Sequence, residues 1–238
     1  MGKKQHLSRL ASPRTWPVER KQSKWIAKPS AGAHSIKKSL PLVVVLRDIL
    51  KLVKTSKEVR NLIHENAILV NNRKLKDVKF AVGLFDVISL PKIKEHYRIL
   101  INKQNKFSLS KIAESEANIL LLRIDNKRTV AKGKTQINFM NGWNKLVSKG
   151  NYKTSDVVVF DTKTAKLSGT LNLKVGSIVY FIGGKHAGIS GKLSAISETG
   201  TLRKHKVAKV SLGKESVESS LNNIIVIGDT KPIIKVEI

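Results

Sequence analysis

Ten Lys and Arg residues, two Trp and three Pro fall within the first 40 positions, against a single acid, Glu19. Ammonium and guanidinium groups can neutralise phosphates, and indole rings offer faces on which bases stack. The candidates for that chemistry are Lys3, Lys4, Arg9, Arg14, Arg20, Lys24 and Lys28, with Trp16, Trp25 and His34 among them. The segment shows almost no apolar periodicity, so it cannot bury enough surface to offset its ordering entropy. It is expected to be disordered alone and to order on a polyanion.

Further basic groups recur along the chain. Arg47, Lys51 and Lys54 are spaced i, i+4, i+7, and Lys57, Arg60 and His64 share a helical spacing of their own. Either set could be a solvated helix surface; two successive stripes in so basic a chain favour a phosphate-facing one. Arg73 and Lys74 follow an Asn71-Asn72 turn. Arg128 lies in the basic stretch KRTVAKGK, and Arg203 and Lys204 lie in TLRKHKVAK, expected at a strand edge. In VGSIVYFIGGKHAGISGK the glycines at 183, 184, 188 and 191 permit a tight loop with Lys185 and His186 at its tip. A phosphate-cradling P-loop does not fit: Gly191-Lys192 is followed by Leu193, and the position five before Gly191 is His186.

Elements must position these groups. Residues 42–53 predict a helix with a Leu42, Leu46, Ile49, Val53 stripe. Thr55-Ser-Lys-Glu58 is a capping-box pattern opening a second helix to about Glu65. Short strands follow: residues 67–70, then 82–90. Asn141-Gly142 is the strongest hairpin signal, with Trp143 beside it as a packing residue. Residues 110–118 could form a short helix; 157–160 and 170–173 read as strands. Val175, Ile178, Tyr180 and Ile182 supply the apolar side of a strand before the Gly-rich loop, and residues 223–227 and 233–238 close the chain as strands.

The whole chain of 238 residues carries 45 Lys+Arg against 17 Asp+Glu, net +28, far above the magnitude of about 2–8 typical of small soluble domains. The first 40 residues hold +9 of this and the rest +19, while the last 24 are at −2. Most of the surface therefore faces phosphate. The chain has no Cys, which excludes disulfides and thiolate metal sites, and its six His show no HExxH spacing. Neither a metal nor a cofactor is expected. No apolar run approaches the ~20 residues of a spanning helix, and no signal peptide is evident, so a cytosolic protein is expected.

Residues 41–92, two short helices, a small sheet and a basic turn, resemble the alpha-L RNA-binding domain. That resemblance implies that Arg47, Lys51, Lys57, Arg60, Arg73 and Lys74 present a basic face to structured RNA. VGSIVYFIGGKHAG resembles the KOW motif of small SH3-like barrels. Taken in order, the arm KKQHLSRLASPRTWPVERKQSKWIAKPSAGAH, then SLPLVVVLRDILKLV, VGLFDVISL, KRTV and the Gly-Gly-Lys-His-Ala-Gly loop resemble the archaeal and eukaryotic small-subunit ribosomal protein "four-e" family; Ala33 and Ser35 stand where that family often has Pro. The short length looks archaeal. The resemblance implies an α+β multidomain chain: a basic arm (1–40), an alpha-L domain (41–92), a mostly-β central domain (93–172), and an SH3-like KOW β-barrel with C-terminal strands (173–238). It implies a non-enzymatic structural protein of the cytoplasmic ribosome, bound to small-subunit ribosomal RNA and neighbouring ribosomal proteins, with no membrane or small-molecule partner. A free RNA-binding factor, either a transcription elongation factor or an RNA chaperone, is the alternative. An RNA-modifying enzyme is disfavoured, because no paired carboxylates or nucleophile–base pair appears.

Overall fold

The computed structural model describes residues 6–130, 133–147, 151–200, 205–213 and 215–236. The chain forms two compact units, one of residues 1–100 with 106–118 and the other of 101–105 with 119–238. It is an α+β protein dominated by antiparallel strands.

In the first unit a five-stranded sheet runs in the order Arg73–Lys74, Leu69–Val70, Val87–Leu90, Glu95–Ile101, Phe107–Ile112. The boundary expected at residue 92 therefore falls between paired strands, since Val87↔Arg98 through Leu90↔Glu95 are in register. Asn71 and Asn72 make the tight turn with φ of 50° and 60°, which Asn tolerates better than most residues. The strand expected over 82–90 is split. Ala81–Gly83 pairs with Ser39–Pro41, and the chain turns at Phe85 (φ 66°) before Val87–Leu90 begins.

The first predicted helix is also shorter than its spacing suggests. An α turn, Leu42–Val44, widens into a π turn, Val45–Ile49, in which the Leu50 amide donates to the Val45 carbonyl at 2.9 Å. All five residues from Leu42 to Leu46 are buried, so no solvent face exists there, and three consecutive β-branched Val weaken the α-helix. Lys51 ends the segment at φ 54°. The second helix, Ser56–His64, forms as its capping box requires. Thr55 Oγ1 accepts from the Glu58 amide at 3.3 Å, while Glu58 Oε2 accepts from the Lys54 amide at 2.9 Å. Val59 and Ile63 are buried beneath it. The helix expected over 110–118 is reduced to Glu114–Ala117, because Phe107–Ile112 extends the sheet.

The second unit holds two five-stranded antiparallel sheets. One runs Asn144–Val147, Thr135–Phe139, Ile119–Thr129, Val157–Asp161, Lys166–Leu171. Its Asn141-Gly142 hairpin forms with Gly142 at φ 79°, and Trp143 packs edge-on against Phe160 at 5.5 Å. The other runs Glu215–Ser220, His205–Leu212, Ser190–Thr199, Ile178–Phe181, Ile224–Gly228. A 3-10 turn, Leu221–Asn223, leads from the end of this four-strand meander to Ile224–Gly228, which pairs with the meander's first strand, Ile178–Phe181. In the strand Ile178–Phe181, Val179, Tyr180 and Phe181 are buried in succession, so the expected alternation is absent. Val175 is exposed because it lies in the turn before that strand, where Gly176 has φ 97°. His205–Leu212 is an inner strand, not the edge expected. Ile233 to Val236 forms no strand among the described residues, although Ile234 and Val236 are buried.

Candidate nucleic-acid interface

The arm is built into the first unit, which corrects the expectation of a segment with no core of its own. Leu7–Ser8 pairs with Trp25–Ile26, the Phe107 amide donates to the Thr15 carbonyl at 2.8 Å, and the Ser30 amide donates to the Lys79 carbonyl at 2.9 Å. Trp16 is 1% exposed, so its ring is core and offers no face to a base. Arg9 is buried, with Nε donating to Ser23 Oγ at 3.1 Å and Nη1 to the Glu19 carbonyl at 2.8 Å. Arg20 likewise donates to the Leu10 and Pro13 carbonyls. These two guanidiniums brace the arm from within. His34 is packed, not presented: its ring lies against Gly83, where a Cβ would collide with it, and Nε2 meets Asp86 Oδ2 at 2.9 Å. Arg14, Lys24 and Trp25 remain on the surface, Lys28 is half-buried beside an open groove, and Lys3 and Lys4 lie outside the described residues.

In the helical part the basic groups divide. Lys57, Arg60 and His64 are all exposed on the outer face of the Ser56–His64 helix. Arg47 is half-buried and forks onto Asp48 with Nε–Oδ1 at 2.8 Å and Nη2–Oδ2 at 2.9 Å, which raises its already high pKa. Lys51 and Lys54 are exposed but lie beyond the π turn, so the expected three-residue helical stripe does not exist. Arg73 and Lys74 are exposed at the edge strand after the Asn71-Asn72 turn. What fixes that turn was not evident in the sequence: Asn71 Nδ2 donates to Asp86 Oδ1 at 2.8 Å, and Asn71 Oδ1 accepts from the Val87 amide at 2.8 Å. The signal that could have found it is an acid, Asp86, inside an otherwise apolar run.

In the second unit Lys185 is exposed at the Gly-rich loop, while His186 is half-buried with its ring 6.1 Å from that of Phe181. Gly184 and Gly188 take φ of 85° and 79°; Gly183 and Gly191 do not have positive φ. A Cβ on Gly188 would stand 2.5 Å from the Asn102 backbone, so close approach as well as conformation demands glycine there. Arg128 is exposed on the Ile119–Thr129 strand, and Arg203 and Lys204 lie outside the described residues. Arg123 is the contrasting case. Its buried guanidinium donates to the Asn222 and Ile224 carbonyls, and burial lowers its pKa. Among the described residues no group of three His, Cys, Asp or Glu could hold a metal ion, and no helix is long and apolar enough to cross a membrane.

The described units thus carry solvent-facing Lys and Arg on a scaffold of short strands. Comparison with known proteins agrees in order along the chain. Three family descriptions match in series: the RS4NT (NUC023) domain over residues 1–37, the S4 domain over 40–88, and Ribosomal family S4e over 93–167. The small ribosomal subunit protein eS4 of Methanocella arvoryzae is 37% identical over 230 residues, 97% of each chain. That of Nanoarchaeum equitans is 39% identical over 223 residues, covering 93% of this chain and 94% of its own. The chain belongs to the eS4 family. The crystal structure of the 30S ribosomal protein S4e from Thermoplasma acidophilum shares the fold, with a TM-score of 0.69 at 23% identity over 81% of this chain and 96% of that one.

Proposed function

We propose that this protein is a structural component of the small ribosomal subunit that binds ribosomal RNA, in the cytoplasm, beside neighbouring ribosomal proteins. The observation that carries the reading is full-length kinship with proteins named for the small ribosomal subunit. Those names denote a ribosomal protein and not an enzyme. The charge of +28 supports RNA as the partner. Within this reading the phosphate contacts include Lys57, Arg60, Arg73 and Lys74 on the first unit and Lys185 on the second. Residues 41–92 serve as the alpha-L module and residues 173–238 as the KOW barrel, the arm being a cross-braced extension of the first.

Sedimentation tests it. The protein is expected to travel with small subunits through a high-salt sucrose gradient. A free elongation or chaperone factor would be stripped to the top fractions, and that result would overturn the assignment.

A further inference from the structure

The strand pair of the arm, Leu7–Ser8 with Trp25–Ile26, sorts its neighbours to opposite sides. Side chains alternate along a strand. In Trp25–Ile26 the Ile is buried, whereas Trp25 is 52% exposed. The segment beneath the indole is cross-braced by side chains. Arg9 braces Ser23, whose Oγ donates in turn to the Trp25 carbonyl at 3.1 Å, and Arg20 clamps the Leu10 and Pro13 carbonyls. The ring therefore stands on a prepared base, with little ordering left to do on binding. Its surroundings are cationic and aromatic. Lys24 Nζ lies 5.4 Å from the ring centroid, and the His6 ring lies 5.5 Å away at 47°.

We propose that Trp25 is a stacking platform for one unpaired RNA base, with Lys24 taking the adjoining phosphate. The inference rests on the RNA-binding reading above and deepens it. A base brings a π-face for the indole and an anion for the ammonium together. A nonpolar side chain from a protein would satisfy the ring and leave Lys24 desolvated without a counter-charge. Trp16, the other arm indole, is buried and cannot share this role.

The test uses the full chain with two probes, single-stranded oligoadenylate and inorganic polyphosphate of matched charge. Binding is measured by filter retention and, separately, by tryptophan fluorescence. Trp16 and Trp143, buried and half-buried, supply a background common to both. Oligoadenylate is expected to quench fluorescence, and polyphosphate to bind without quenching. Trp25→Phe keeps a ring but removes the reporter, so affinity holds while the quench vanishes. Trp25→Leu is expected to weaken oligoadenylate about tenfold and leave polyphosphate unchanged. Equal oligoadenylate affinity for Trp25→Leu and parent, with RNA still retained, overturns the platform alone. Retention of neither probe overturns the RNA-binding reading and the platform with it.

Discussion

His34 Nε2 and Asp86 Oδ2 meet at 2.9 Å with side chains only 7% and 3% exposed, joining the arm to the turn that precedes Val87–Leu90. The same carboxylate accepts from the Gly83 amide at 2.7 Å and from Asn71 Nδ2 at 2.8 Å, so one buried acid holds the arm, the chain reversal and the Asn71-Asn72 turn. A role for His34 in contacting RNA gives way to a role in docking the arm.

Asp86→Ala strands two buried donors as well as the imidazole. Each unsatisfied buried donor costs about 1–3 kcal/mol, so a loss of at least about 2 kcal/mol is expected. His34→Ala should cost less, because Asp86 keeps its other partners. A double-mutant cycle from urea melts measures the coupling. Additive losses would show that the arm and the turn are independent.

The capping box makes a pH-dependent prediction. Thr55→Ala should destabilise the protein by about 1 kcal/mol in thermal or urea melts. Glu58 is held below the ordinary carboxylate range, chiefly by the Lys54 amide and then by the Thr55 hydroxyl. Its folded pKa is therefore lower than its unfolded one. The stability it adds is present above the unfolded value of about 4.3 and is lost as pH falls through the lower folded value. Melting temperatures of parent and Glu58→Gln should converge in that acid window and separate near neutrality.

Local signals with a single strong cause were legible in the sequence. The Thr55–Glu58 cap, the Asn71-Asn72 turn and the Asn141-Gly142 hairpin are set by residues adjacent to one another, and each stands where its chemistry required. What was not legible depended on tertiary burial. Leu42–Leu46 carries a helical spacing, but burial on every side erases the meaning of a stripe, and the Arg47, Lys51, Lys54 face goes with it. Trp16 and Trp25 look equivalent in the sequence. Only the strand pairing and the core beneath it show that one is packing and the other surface. The Arg residues of the arm count equally toward net charge, yet Arg9 and Arg20 spend theirs on backbone carbonyls.

Tyr180 supplies a test within the second unit. Its hydroxyl donates to the Ile101 carbonyl at 2.6 Å, and its oxygen lies 3.3 Å from the Ile101 amide. Burial pushes the phenol pKa up to about 12. Tyr180→Phe should destabilise by about 1–3 kcal/mol, because the backbone groups lose a partner. The raised pKa means that the stabilisation is whole below the unfolded value of about 10 and declines as pH rises through about 12. Alkaline unfolding followed by phenolate absorbance checks it. A phenol that titrates near 10 before unfolding would contradict the buried geometry.

The outer face of the Ser56–His64 helix can be separated from folding. Lys57→Glu with Arg60→Glu leaves Val59 and Ile63 in place, and surface changes of this kind usually alter stability by no more than about 0.5 kcal/mol. Arg47 is unsuitable for this purpose, since a Glu there would face Asp48. Affinity for a small-subunit ribosomal RNA fragment should fall well beyond the stability change. The salt slope should become shallower by about 0.7–0.9 for each phosphate that is no longer neutralised. An unchanged affinity and slope would make this face a solvated surface.

The Gly-rich loop separates shape from charge. Gly188 has φ 79°, and a Cβ would press on the Asn102 backbone, so Gly188→Ala meets both conformational strain and a clash with atoms that cannot rotate away. A loss of at least about 2 kcal/mol is expected in urea melts. Lys185 is exposed at the same loop, so its truncation opens no gap in the core and Lys185→Ala should melt with the parent. If the loop contacts RNA, Lys185→Ala should still reduce incorporation into small subunits in competition with parent protein. Gly188→Ala should reduce incorporation only as far as its folded fraction falls. Normal incorporation of Lys185→Ala, with no RNA cross-link to residues 183–188, would leave the loop facing protein or solvent while the arm and the Ser56–His64 helix carry the RNA contacts.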